Sequence, residues 1–215
     1  MTDIRTKEAI RYLGYGRHAV DETTLAMISS SFKELEECVE RRSVYRIFDC
    51  IQGEGNIIKI GKMNIASDSL AKNLKGCQKA AVFGATLGVQ ADLLIKKYSV
   101  TNMARAVVLQ SCAAVILEEY CDDCQGKIGE AAEKEKLWMR PRFSPGYGDF
   151  DICHQKEILR MLDTAKTIGL TMTDSYMLTP AKSVTAVIGL SAVDEKCHRH
   201  GCEVCQKEDC IYRRN

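Results

Sequence analysis

No run of 18 or more apolar residues occurs in the chain. A bilayer-spanning helix needs about 20 of them, so no transmembrane helix is expected. The opening stretch MTDIRTKEAIRYLGYG contains no apolar signal-peptide core, which predicts a cytoplasmic protein. An excess of charge is also lacking. Lys and Arg total 30 against 29 for Asp and Glu, a net charge of +1, so no global field would gather nucleic acid or a membrane surface. Low-complexity linkers and internal repeats are absent, and 215 residues suffice for one large domain or two small ones, with a real core.

Nucleotide loops are equally hard to find. Gly14-Tyr15-Gly16 follows no strand, and Gly84-Ala85-Thr86-Leu87-Gly88 lacks the Lys and Ser/Thr of a P-loop and the third glycine of a dinucleotide fingerprint. A helix start there can hold phosphate, but close packing of helix on strand is the favoured reading. With four histidines, His18, His154, His198 and His200, no Ser/His/Asp or Cys/His constellation for nucleophilic catalysis emerges. His154 reads as a helix-start residue, and no catalytic residue is assigned.

What the chain does have is cysteine, 11 in all. An odd count in a cytosolic setting points to thiols or metal ligands rather than a disulfide framework. Cys121-Asp122-Asp123-Cys124 is a CxxC without a thioredoxin-like surround, read as structural thiols. Cys197, Cys202, Cys205 and Cys210 form C-x4-C-x2-C-x4-C with His198 and His200 between the first two. Four soft ligands so close together can wrap Zn or an Fe–S cluster, and a reduced, metal-free tail is the other reading. Residues 1–195 are therefore set apart as one domain and 196–215 as a cysteine-rich tail.

Periodicity outlines the domain. Ile4–Leu13 is amphipathic. Asp21 is a good N-cap for a helix to about Arg42, with Leu25, Ile28, Phe32, Leu35 and Val39 on one face. Val44–Ile51 and Ile57–Ile60 read as a β-hairpin through Gln52–Asn56. Ser67 or Asp68 caps a short helix, and Ala80–Phe83 is a buried strand. Val89–Tyr98 is helical, and from Thr101 or Asn102 a long central helix runs to about Cys124, with Met103, Ala106, Val107, Gln110, Ala113, Ala114, Leu117 and Cys121 forming one packing stripe. Gly126–Trp138 continues as a charged helical segment. His154–Ile168 is helical, ending at Gly169, and Leu170–Leu178 with Ser183–Leu190 read as a second hairpin through Thr179–Lys182. The fold class is α+β, a single domain with a mainly antiparallel sheet and a long central helix.

Met139–Asp151, MRPRFSPGYGDFD, concentrates function-bearing residue types. It holds two of the three prolines, Pro141 and Pro145, and brackets Tyr147 between Gly146 and Gly148, with Arg140 and Arg142 upstream. Proline stiffens the backbone and glycine lets a ligand approach it. A guanidinium fork near a phenol ring suits a small anionic or zwitterionic ligand. A surface turn with solvated arginines is the alternative.

With this loop and the segments around it, the chain resembles the activation (reactivation) domain of cobalamin-dependent methionine synthase. The likeness is strongest over Trp138–Leu190, through RPRFSPGY and TIGLTMTDSYMLTPAKSVTAVIGLS, and looser at VFGATLGVQAD and at Leu117-Glu118-Glu119-Tyr120. The resemblance implies a domain that binds S-adenosylmethionine and docks on a cobalamin module, where a flavodoxin- or ferredoxin-like reductant and the sulfonium methyl group restore methylcobalamin from Co(II). It implies that Arg142 holds the methionine carboxylate, that Tyr147 lies near the sulfonium and the cobalamin face, and that the backbone of Pro145, Gly146, Tyr147 and Gly148 receives the amino-acid end and the adenosine. Val115 and Lys136 stand where the family carries acidic residues. The chain looks like a stand-alone reactivation subunit working on a partner corrinoid protein. The alternative is a metal- or Fe–S-binding electron-transfer adapter for a corrinoid methyltransferase, with the tail cysteines holding the metal.

Overall fold

The computed structural model describes residues 3–15 and 18–194. Side-chain caps set most helix starts. Asp3 accepts from the Thr6 amide ahead of α1 (Ile4–Tyr12), and Asp21 from the Thr24 amide ahead of α2 (Glu22–Cys38). α2 ends earlier than its periodicity suggests. Val39 leaves in an extended conformation, and the Glu40 amide donates to the Leu87 carbonyl at 2.8 Å. The freed residues begin β1 (Arg42–Gln52), which turns into β2 (Ile57–Ile60) as the expected hairpin. β3 (Met63–Ala66), not anticipated, extends the pair to a meander. Ser67 then caps α3 (Asp68–Asn73), and β4 (Cys77–Thr86) crosses the middle of the sheet.

Gly88 opens α4 (Val89–Thr101) with φ 79°, and a Cβ there would come within 3.1 Å of the Glu40 Cβ. Its amide donates to the Thr86 hydroxyl, so this glycine serves close packing, as expected. Asn102 caps α5 (Met103–Lys134), which is 32 residues long and absorbs the segment beyond Gly126. Its buried stripe is wider than the sequence suggests and turned from the expected one. Val108, Leu109, Cys112 and Ile116 are buried, while Met103 is 62% and Val107 50% exposed. After β5 (Trp138–Met139) and the loop come a 3-10 turn (Ile152–His154), α6 (Gln155–Leu162) and α7 (Thr164–Thr167). Asp163, at φ 51°, breaks what reads as one helix into two.

The anticipated second hairpin is differently built. β6 (Thr171–Met172) pairs with β7 (Leu178–Thr179), and β8 (Ser183–Ser191) instead pairs antiparallel with β4 along its length. The six-stranded sheet has the order β3-β2-β1-β4-β8-β5, with every pairing antiparallel. Alternation along β4 feeds two cores. Ala81, Phe83 and Ala85 face α1, α2, α4 and α5. Ala80 and Val82 face α3, α6 and the loop residue Phe150. An α+β domain with an antiparallel sheet and a long central helix is what the sequence predicts. Among the described residues no helix is long and apolar enough to cross a membrane. The tail, with Cys197, Cys202, Cys205 and Cys210, lies outside the described residues.

Candidate functional site

The loop leaves β5 along the free edge of β8. The Arg140 amide donates to the Gly189 carbonyl at 2.8 Å, and Phe143 and Val187 exchange backbone hydrogen bonds at 2.9 Å each. Met139 pairs with Leu190 and Phe143 with Val187, so the loop side carries one extra residue here, and Arg140 and Arg142, two apart, are released from sharing one side. Arg140 is 5% exposed, lies against Gly189 and donates to the Lys75 carbonyl at 3.3 Å. It is a structural residue, not a solvated one.

Arg142 reaches α5. Its Nη1 donates to Asp122 Oδ1 at 2.7 Å and to Gln125 Oε1 at 2.9 Å, and its Nη2 to Glu118 Oε2 at 3.0 Å. The three acceptors stand at i, i+4 and i+7, one stripe of the helix. Burial works against the charge, and the hydrogen bond and charge of Asp122, helped by Glu118, hold the guanidinium above its ordinary pKa. The arginine side chain is 17% exposed, whereas those of Glu118 and Asp122 are 48% and 74% exposed. The cation is thus held in a fixed pose with two open carboxylates beside it. Beneath them Cys121 is fully buried, its thiol pushed up to about 12 by burial. Cys124 is buried too and donates to the Ser43 hydroxyl. The CxxC pair is packed as structural thiols.

Beyond Phe143 the chain turns tightly. Pro145 is buried. The Gly146 amide donates to the Phe150 carbonyl at 2.7 Å, the Tyr147 amide to the Ser144 carbonyl at 3.2 Å, and the Phe150 amide back to Tyr147 at 3.0 Å. Gly146 and Gly148 have φ 91° and 56°, conformations that glycine adopts at little steric cost. Phe150 is buried, with its ring 6.3 Å from Phe143 and 5.6 Å from His154. Tyr147 crowns this turn, 69% exposed. Asp149 pins the far side to α3: Oδ1 accepts from the Ser67 hydroxyl at 2.6 Å and the Ser69 amide at 3.0 Å, Oδ2 from the Asp68 amide at 2.7 Å. The Ser67 hydroxyl bond, joined by the two amides, holds its carboxyl far below the usual range.

The structure therefore brings Arg142, Pro145, Gly146, Tyr147 and Gly148 onto one braced loop. Sequence reading missed Asp122 and Gln125 as partners of Arg142, and Asp149 as the brace. Their i, i+4, i+7 spacing with Glu118 was the available signal. At the two positions where the resemblance implies acidic residues the chain has Val115 and Lys136. Val115 is buried in the core, while Glu135, next to Lys136, pairs with Lys79 at 2.8 Å. The acids beside Arg142 come from Glu118 and Asp122. An open groove of ≈ 600 Å³ lies elsewhere, lined by Ile47, Phe48, Asp49, Ile51, Lys59 and Glu135 among others, and includes no loop residue. Among the described residues no cluster of three or more His, Cys, Asp or Glu is arranged to hold a metal.

Comparison with known proteins fits this geometry. No curated protein matches the chain. A solved structure titled "Crystal Structure of the MetH Reactivation Domain bound to AdoHcy" is similar to it, with TM-score 0.60 and 15% identity over 89% of this chain and 77% of that one. At that identity the likeness is one of fold. The family described as "Vitamin B12 dependent methionine synthase, activation domain" matches residues 59–214, a span that takes in the loop, β8 and the tail cysteines. The chain belongs to the vitamin B12-dependent methionine synthase activation domain family.

Proposed function

We propose that this protein is a cytoplasmic reactivation subunit that binds S-adenosylmethionine and offers its methyl group to cobalamin carried by a partner corrinoid protein. The observation that carries the reading is the Arg142 cluster. A zwitterionic amino acid matches an arginine already paired with carboxylates. Its own carboxylate can take over the guanidinium fork, and its ammonium then falls to Glu118 and Asp122, so no charge is stranded. Tyr147 stands a few residues away with its ring in solvent, where a sulfonium can meet the ring face. The backbone of Gly146 and Gly148 is exposed, and the adenosine can lie along it on the side away from Ser69. The structurally similar MetH reactivation domain is bound to AdoHcy, the thioether left when S-adenosylmethionine has lost its methyl group.

The chemistry asked of the chain is placement and exclusion of water. When the partner is docked, the sulfonium supplies the methyl group and a flavodoxin- or ferredoxin-like reductant one electron to Co(II). No general base is needed.

Isothermal calorimetry with S-adenosylmethionine tests the site. Arg142→Ala should weaken binding by at least about tenfold, near 1.4 kcal/mol, with the far-UV circular dichroism unchanged. Equal affinity removes Arg142 from the site. The activity is tested with an inactive Co(II) corrinoid protein, reductant and methyl-labelled S-adenosylmethionine. Label should reach cobalt only when this chain is added.

The spacing C-x4-C-x2-C-x4-C supports a second role for the tail, in which Cys197, Cys202, Cys205 and Cys210 hold Zn or an Fe–S cluster. An Fe–S cluster would make the chain an electron-transfer adapter as well. Anaerobic purification with metal analysis decides it: a brown preparation with iron and sulfide supports the adapter, and a colourless one with zinc supports a structural metal.

A further inference from the structure

Asp149 reaches across 80 residues of sequence to a helix it does not belong to. Ser67 already caps α3 from within, accepting from the Leu70 amide at 3.0 Å. Its hydroxyl proton is then free to donate to Asp149, and the Asp68 and Ser69 amides complete the carboxylate's ring of donors. Ser67 is fully buried, and Leu70 and Leu74 fix α3 in the second core. The helix is therefore a firm anchor. The close approach is built in from the loop side as well, because a Cβ on Gly148 would come within 2.7 Å of the Ser69 hydroxyl oxygen. Upstream, Arg142 grips α5 on the opposite layer. The residues between these two anchorages are the turn that carries Tyr147.

We infer that Asp149 is the positioning residue for the Tyr147 apex: bound to the start of α3, its carboxylate sets where the ring stands and so governs ligand affinity without touching the ligand. The inference rests on the reading of this loop as the ligand site. Three charge-assisted bonds to one carboxylate make a stiff joint. A site braced on both flanks loses less freedom when a ligand arrives. Without Asp149 the segment 146–149 is tied only by its own turn, and the ring samples many positions.

The test uses the full chain carrying Trp138→Phe and Tyr147→Trp, so that the apex holds the single indole, together with Asp149→Ala, Ser67→Ala and the double variant. Fluorescence anisotropy and acrylamide quenching report the apex without ligand. Asp149→Ala should lower the anisotropy and raise quenching at least about twofold, and Asp149→Glu should restore part of the signal. In the chain with native Tyr147, Asp149→Ala should weaken S-adenosylmethionine binding at least about tenfold. Ser67→Ala should add little once Asp149 is gone, the mark of two groups acting through one joint. Unchanged anisotropy and quenching in Asp149→Ala overturn the inference. Changed apex mobility with unchanged affinity also overturns it as a statement about binding. If the native chain binds no S-adenosylmethionine, the proposed function fails, and the fluorescence arm still decides whether Asp149 sets the apex.

Discussion

Three thiols show how burial sets residue behaviour. Desolvation pushes Cys50 up to about 11 and Cys112 and Cys121 up to about 12. A folded thiol with a raised pKa binds its proton more tightly than the unfolded one. Its contribution to stability is whole below the unfolded value of about 8.5 and is lost as pH rises toward the folded value. Each such thiol should cost about 1.4 kcal/mol per pH unit through that window. The urea midpoint should fall steeply between pH 9 and pH 11, and the slope should be shallower in Cys112→Ala, which has one thiol fewer. In Arg142 burial works against the charge, but the hydrogen bond and charge of Asp122 outweigh it and hold the guanidinium above its ordinary pKa. Residue types in the loop were legible in the sequence, because proline, glycine, arginine and tyrosine each carry a local preference. Their partners were not. Asp122 stood out only as part of the CxxC, Gln125 carried no assignment, and nothing in a one-dimensional string joins Asp149 to Ser67.

Helix starts were the most readable elements. Asp21, Ser67 and Asn102 each accept from an amide three residues on, a purely local interaction. Asn102→Ala should cost about 1 kcal/mol in a denaturation curve. Ends and pairings were harder. α5 continues through Gly126 and Gly129 although each glycine costs about 1 kcal/mol in a helix. Gly129 lets Met139 of β5 lie against the helix, its methyl 2.6 Å from where a Cβ would be. Tertiary packing overrides propensity there. Alternating strings such as Leu170–Leu178 and Ser183–Leu190 do not say which partner they take, and β8 is better satisfied along β4, where most of its residues are buried. Within β8, Gly189 is the tightest point. A Cβ would come within 2.6 Å of Leu74, 2.7 Å of Cys77 and 3.1 Å of Arg140. Gly189→Ala should therefore destabilise by about 1–3 kcal/mol, with the loss also loosening Arg140 at the root of the loop.

At the scale of the molecule, one sheet separates two cores that share β4 and β8. Phe83, at 1% exposure, anchors the helical side. Phe83→Ala should cost about 3–5 kcal/mol, and the whole chain should melt in one transition because both cores hang on the same strands. The overall class was legible because hydrophobic period and length bound it. The division into two cores was not, since a strand buried on both faces carries no alternation.

The Met139–Asp151 loop also closes the flank of β8, where Arg140 and Phe143 occupy backbone groups of Gly189 and Val187. An open flank of this kind is a template for a neighbouring chain. Under the proposed function, ligand capture and resistance to self-association are thereby vested in one segment. A doubly released variant, Arg142→Ala with Asp149→Ala, should elute as larger species with rising concentration on a sizing column, whereas the native chain should not. Selection on the ligand and selection against clumping would then act on the same dozen residues.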